Sequence, residues 1–173
     1  MKISNVNIEA VVGDIANQGD MDAVVNAANA ELQTGGGVAG ALHRAAGPKL
    51  AEEGSKQAPI KPGQAVITKG YKLPTPYVIH CLGPVYGRDK PEDELLADCY
   101  RNALKRAEEN NIQSIAFPAI STGAFGYPKK KAAQIAISTV VESCQDLKEV
   151  KKIRFVLFEK DQLELYKTQL AKV

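Results

Sequence analysis

Val24-Val25-Asn26-Ala27-Ala28-Asn29-Ala30-Glu31-Leu32-Gln33-Thr34-Gly35-Gly36-Gly37-Val38-Ala39-Gly40 decides the fold, because it joins an apolar strand-like run to a glycine loop that opens a helix. Three consecutive glycines let the backbone approach an anion closely and turn several N–H groups toward it. The following helix adds its positive end. The glycines run into Val38 and Ala39 without the Gly-Lys-Ser/Thr ending of a Walker-type loop. Binding therefore rests on backbone dipoles, and the expected ligand is a phosphate ester that is held, with no phosphoryl transferred.

Strand-like and helix-like segments alternate outward from this loop. Val6, Ile8, Ala10 and Val12 alternate before Gly13-Asp14, which predicts a strand with one face on the core. Asp22 to Ala28 suits a buried strand, and Gly37 to Ala46 a helix closed by Gly47, with Pro48 starting another. Strands are expected at Gln64 to Lys69, Tyr77 to Cys81, Ser114 to Phe117 and Ile153 to Phe158. Pro91 to Asn110 is the clearest helix, since Leu96, Cys99 or Tyr100, Ala103 and Ala107 recur at helical steps. Pro128 to Gln145 and Asp161 to Ala171 complete the set. The pattern predicts one α/β domain over residues 1–173, a layered sheet with helices on both faces and ligands at the carboxyl ends of its strands.

Phe117 to Pro128 repeats the design of the opening segment: apolar strand, then Ser121-Thr122-Gly123-Ala124-Phe125-Gly126, then a helix. Two such loops facing each other would bracket a diphosphate, although either alone could be a structural turn. Phe125 reads equally as a core anchor or as a ring against a sugar. Gly35, Gly37 and Gly40 also match GxGxxG, but a dinucleotide site needs an acid about 20 residues on. Pro59-Ile60-Lys61-Pro62-Gly63 stands there instead.

Twenty-two Lys and Arg against twenty Asp and Glu give a net charge of +2 with the signs interspersed, so the chain carries no strong nucleic-acid footprint. Cys81, Cys99 and Cys144 are odd in number and lack a CxxC pair, which argues against a disulfide framework or a cysteine zinc site. Neither an apolar leader nor a run long enough to span a membrane is found, and the chain is read as a cytoplasmic monomer.

Gly13-Asp14-Ile15, Val25 to Asn29, Gly35 to Gly40, His43 to Gly47, Tyr77 to His80 with Gly83-Pro84, and Pro118 to Gly126 together resemble the macrodomain family. The resemblance implies a three-layer α/β/α sandwich, a Rossmann-like fold around a mixed sheet, with ADP-ribose in a cleft at its top and no cofactor or metal. In it Asp14 would accept from the adenine amine, with the Ile15 backbone beside it and Phe158 against the base. Gly36, Gly37 and Val38 would line the diphosphate on one side, and Ser121, Thr122, Gly123, Ala124 and Phe125 on the other. Asn29 matches the asparagine at the distal ribose. Without the resemblance, Asp14 is a turn residue, Phe158 a core residue and Asn29 a strand-end turn residue. Asn26 is expected to satisfy backbone groups, and His43 and His80 to be structural.

One position departs from the hydrolase branch of MacroD type, where the loop continues Gly-Gly-Gly-Val-Asp; here that acid is Ala39. Loss of a general base costs about 10²–10⁴ in rate. The resemblance still extends to viral macrodomains regarded as acting without it. The expected activity is removal of mono-ADP-ribose from acidic side chains of modified proteins, with Asn29, Gly37 and Phe125 as the catalytic set. A non-catalytic reader of ADP-ribose and a deacetylase of O-acetyl-ADP-ribose are the alternatives.

Overall fold

In the computed structural model, which describes residues 1–173, the chain runs β1 (Lys2–Ile3), β2 (Val6–Val12), β3 (Ala23–Ala27), α1 (Gly37–Ala46), α2 (Lys49–Ser55), β4 (Ala65–Lys69), β5 (Tyr77–Cys81), α3 (Glu92–Glu109), β6 (Ser114–Phe117), α4 (Lys129–Ser143), β7 (Lys152–Leu157) and α5 (Lys160–Ala171). The strands form one sheet in the order β1-β2-β7-β6-β3-β5-β4. The five inner strands are parallel, and β1 and β4 close the two edges antiparallel. The expected mixed sheet and α/β/α sandwich are what the chain forms.

Side-chain alternation assigns the layers. On β3, Ala23 and Val25 enter a core shared with α3, α4 and α5, while Val24 points to the opposite core with Leu42 and Ala46 of α1 and Leu50 of α2. Val78 and Ile79 divide in the same way on β5, as do Ala116 and Phe117 on β6. The larger core is braced by Tyr100, Phe117, Phe155 and Tyr166, whose successive ring centroids lie 5.2, 5.8 and 5.2 Å apart. Each such buried apolar side chain contributes about 1.5–3 kcal/mol.

Four expectations change. Val12 does not lie on the core: it is 49% exposed, because β2 ends there at the open edge of a cleft. The last inner strand stops at Leu157, leaving Phe158 outside it, and the fourth helix ends at Ser143 with a 3₁₀ turn over Cys144–Asp146. Asn26 bonds a side chain, not backbone: its Nδ2 lies 3.1 Å from His80 Nδ1. His80 Nε2 lies 2.9 Å from Thr68 Oγ1, whose proton goes to the Lys69 carbonyl at 3.1 Å.

That last bond fixes the polarity of the chain. The Thr68 hydroxyl has one proton and donates it to a carbonyl, so it must accept from His80. His80 therefore carries its proton on Nε2 and is neutral, and Nδ1 accepts from Asn26. Burial holds its pKa down to about 3 and also lowers that of His43. Between the ordinary value of 6.5 and about 3, only the unfolded chain takes a proton at His80, so stability is full above pH 6.5 and lost as pH falls toward 3. Denaturant unfolding is expected to show about 2 kcal/mol lost to this group between pH 6.5 and 5. His80→Gln should flatten that slope, and an unchanged slope would contradict the assignment.

Candidate functional site

The carboxyl ends of β2, β7, β6, β3 and β5 share one edge of the sheet, since these strands run parallel. From adjacent β3 and β6 the chain leaves to opposite faces, into α1 on one side and α4 on the other. A crevice opens at such a switch point. Here it has two chambers.

The narrow chamber, about 260 Å³, is lined by Ala27–Asn29, Gly35–Ala39, Gly83, Ala119–Ser121 and Gly123–Phe125. None of these side chains is titratable. The wide chamber, about 810 Å³, is lined by Val12–Ile15, Ala41, Arg44, Pro118, Thr122, Lys129, Val156, Phe158, Glu159 and Gln162. Gly37, Val38, Ala119 and Gly123 border both, so the two glycine loops face each other across the seam.

The first loop leaves donors free there. Gly36 caps α1 without a side-chain bond, the first turn holds no acid, and the first helical bond runs from Gly40 N–H to Gly36 O at 3.2 Å. Gly37, Val38 and Ala39 therefore keep their N–H groups for a ligand. Gly37 has φ +55°, and a Cβ on Gly40 would lie 2.4 Å from the Gly35 carbonyl oxygen. Both positions need glycine.

The second loop is held from beneath. Tyr127 N–H donates to Ser121 O at 2.9 Å and Gly126 N–H to Gly123 O at 3.0 Å. Tyr86 N–H donates to Phe125 O at 2.9 Å, and the Tyr127 hydroxyl donates to Asp93. Ser121 adopts φ +67° and tucks its hydroxyl against Gly83, where a Cβ would lie 2.1 Å from it.

The residues singled out in the sequence all line this cleft. Asn29 has both amide edges tied to Gln33: Oδ1 accepts from its N–H at 3.0 Å and Nδ2 donates to its carbonyl at 2.9 Å. The turn role is thus real, and it leaves Asn29 one N–H and one lone pair for the narrow chamber. Asp14 likewise makes a turn, Oδ1 accepting from Ala16 N–H at 2.9 Å, with its second oxygen free. Phe125 is half-buried against Ala28, Leu32, Ile60 and Leu82 and also walls the chamber, so it is both anchor and wall. Phe158 is 84% exposed, which overturns its reading as a core residue. Gly83 and Arg44 entered the sequence reading only as parts of motifs, without a role at the site, and Lys129, Glu159 and Gln162 were given none. Gln162 carries no local motif, and only the convergence of α5 on the second loop reveals it. Elsewhere, no three His, Cys, Asp or Glu side chains converge, the three cysteines are free and buried, and no helix is long and apolar enough to cross a membrane.

Fold and cleft together define a Rossmann-like α/β/α domain whose ligand face is built from two opposed glycine cradles. The chain belongs to the Macro domain family, whose model matches residues 25–136. It is 51% identical over 168 residues to a Macro domain-containing protein of Chlorobaculum tepidum, covering 96% of this chain and 97% of that one. It is 46% identical over 171 residues to an O-acetyl-ADP-ribose deacetylase of Klebsiella pneumoniae, covering 96% and 97%. The Oceanobacillus iheyensis macrodomain, solved with ADP, superposes with TM-score 0.94 at 38% identity, over 99% of this chain and 94% of that one. The Trypanosoma brucei macrodomain in complex with ADP-ribose gives TM-score 0.86 at 36% identity, over 94% and 68%.

Gly40→Ala is expected to lower the denaturant-derived stability by about 1–3 kcal/mol, because the new methyl meets a backbone carbonyl that cannot yield cheaply. Gly36→Ala, whose Cβ would meet nothing within 4 Å, should leave stability within about 0.5 kcal/mol of wild type. Equal effects would show that the close approach does not shape the cradle.

Proposed function

We propose that this chain binds ADP-ribose across the two chambers and hydrolyses an ester on its distal ribose. One observation carries the reading: the free backbone N–H groups of the first loop face the second glycine loop across the seam between a wide chamber and a narrow one that holds Asn29. A diphosphate at the seam leaves a nucleoside in the wide chamber, with Phe158 against the base and the free oxygen of Asp14 available to an exocyclic amine. The distal ribose then reaches the narrow chamber. Relatives and structural neighbours support this ligand, since they include an ADP-ribose complex and an O-acetyl-ADP-ribose deacetylase.

The chemistry follows from what the narrow chamber contains. Water adds across the ester, giving a ribose hydroxyl and a free carboxylic acid. Asn29 orients the ribose through its remaining N–H and lone pair, while Gly37 and Phe125 confine the water beside the anomeric carbon. Both cradles stabilise charge that develops close to the diphosphate. Since Ala39 stands where MacroD-type enzymes carry an acid and no lining side chain titrates, the ligand's own phosphate is the group available to take the water's proton. The acyl group is an acidic side chain of a mono-ADP-ribosylated protein. Acetate is the second reading, favoured by the deacetylase relative.

The test is the time course of label release from a protein mono-ADP-ribosylated on glutamate or aspartate, run beside O-acetyl-ADP-ribose hydrolysis, once calorimetry has established ADP-ribose binding. Wild type should turn over at least one ester, and Asn29→Ala should lose about 10-fold or more in kcat. Ala39→Asp should raise the rate if a base is limiting. Tight binding with no release from either substrate would make the chain a reader.

A further inference from the structure

Gln162, on the first turn of α5, is 7% exposed and borders the wide chamber. A buried amide needs partners, and one edge has them. Gln162 Nε2 lies 3.2 Å from Thr122 Oγ1, and Thr122 Oγ1 lies 3.1 Å from the Ala119 carbonyl oxygen. The only proton of Thr122 goes to that carbonyl, which can do nothing but accept. Thr122 must therefore accept from Gln162, and this orders the amide: the NH₂ faces the second loop and Oε1 occupies the other edge. Oε1 takes no hydrogen bond from the protein, yet it is not sealed from solvent. The wide chamber thus offers two fixed acceptor oxygens, Gln162 Oε1 and the free oxygen of Asp14.

Resting on the nucleotide reading above, we propose that Gln162 is a specificity-determining residue that accepts a hydrogen bond from a ribose hydroxyl of the nucleoside in the wide chamber. The domain accordingly prefers ribonucleoside diphosphates to their deoxy counterparts. A nucleoside brings two kinds of donor, its exocyclic amine and its ribose hydroxyls, and the chamber holds an acceptor ordered by the protein for each, while the third acceptor in its lining, the Glu159 carboxylate, is paired with Lys129. Selectivity arises because an analogue lacking the hydroxyl leaves Oε1 partnerless in a partly desolvated site. The bond to Thr122 also joins this sugar contact to the second cradle, so ribose and diphosphate are gripped by one connected unit.

Calorimetric affinities for ADP, 2′-deoxy-ADP and 3′-deoxy-ADP test this on wild type and Gln162→Met, which keeps length and bulk but removes the oxygen. Wild type is expected to bind ADP about tenfold more tightly than at least one deoxy analogue, and the analogue it rejects identifies the hydroxyl. Gln162→Met should lose affinity for ADP while binding that analogue as wild type does, which also shows the chamber still folded. Equal affinities in wild type, or a uniform loss for all three ligands in the variant, would overturn the assignment. No binding of ADP or ADP-ribose by wild type would overturn the nucleotide reading itself, and this assignment with it.

Discussion

Gly40 and Gly35 approach so closely that no side chain fits between them, and this contact sets the geometry of the ligand face. It folds the loop after β3 back onto the first turn of α1, with the Gly35 oxygen 2.4 Å from where a Cβ would stand. The N-cap residue there, Gly36, has no side chain with which to cap the helix, and the N–H groups of Gly37, Val38 and Ala39 stay unpaired beside the seam. Unsatisfied donors at the positive end of a helix are an anion site by construction. The second loop reaches the same seam by different means. Its backbone closes on itself through Ser121, Gly123, Gly126 and Tyr127, and the missing side chain of Gly83 makes room for the Ser121 hydroxyl.

Two threonines do related work in separate places. Thr68 donates to a carbonyl and so forces His80 to keep its proton on Nε2. Thr122 donates to a carbonyl and so forces Gln162 to present its NH₂ inward. In each case one hydroxyl proton, committed to an acceptor-only group, settles the orientation of an ambiguous side chain. A buried network ordered in this way tolerates an extra proton badly, which is why burial depresses His80 to about 3.

Much of this was legible in the chain. The glycine runs, the apolar strands before them and the helical spacing of Leu96, Ala103 and Ala107 are local signals, and the elements fall where those signals place them. Val12 and Phe158 were harder. An apolar residue at a strand end looks the same in sequence whether it enters the core or lines a cleft, and here the cleft leaves both exposed. Asn26 was misread because its partner, His80, lies fifty-four residues away on β5. Gln162 left no trace for a like reason: its role comes from three segments meeting, not from any spacing.

The narrow chamber poses the sharper chemical question, because its lining is neutral throughout. A neutral site does not attract a proton from water, yet it does not penalise a dianionic ligand either. A carboxylate at position 39 would sit beside the very N–H groups that the diphosphate needs, and it would repel that ligand in a partly desolvated pocket. Alanine there removes the repulsion and the base together. The balance moves from proton transfer toward ground-state binding, and under the proposed function turnover comes from orientation at Asn29 and field at the two cradles. An ester is the bond such a site suits. When water attacks the anomeric carbon, the group that departs is a carboxylate, stable as an anion, so the proposed cleavage needs little beyond holding the ribose still and keeping one water in place.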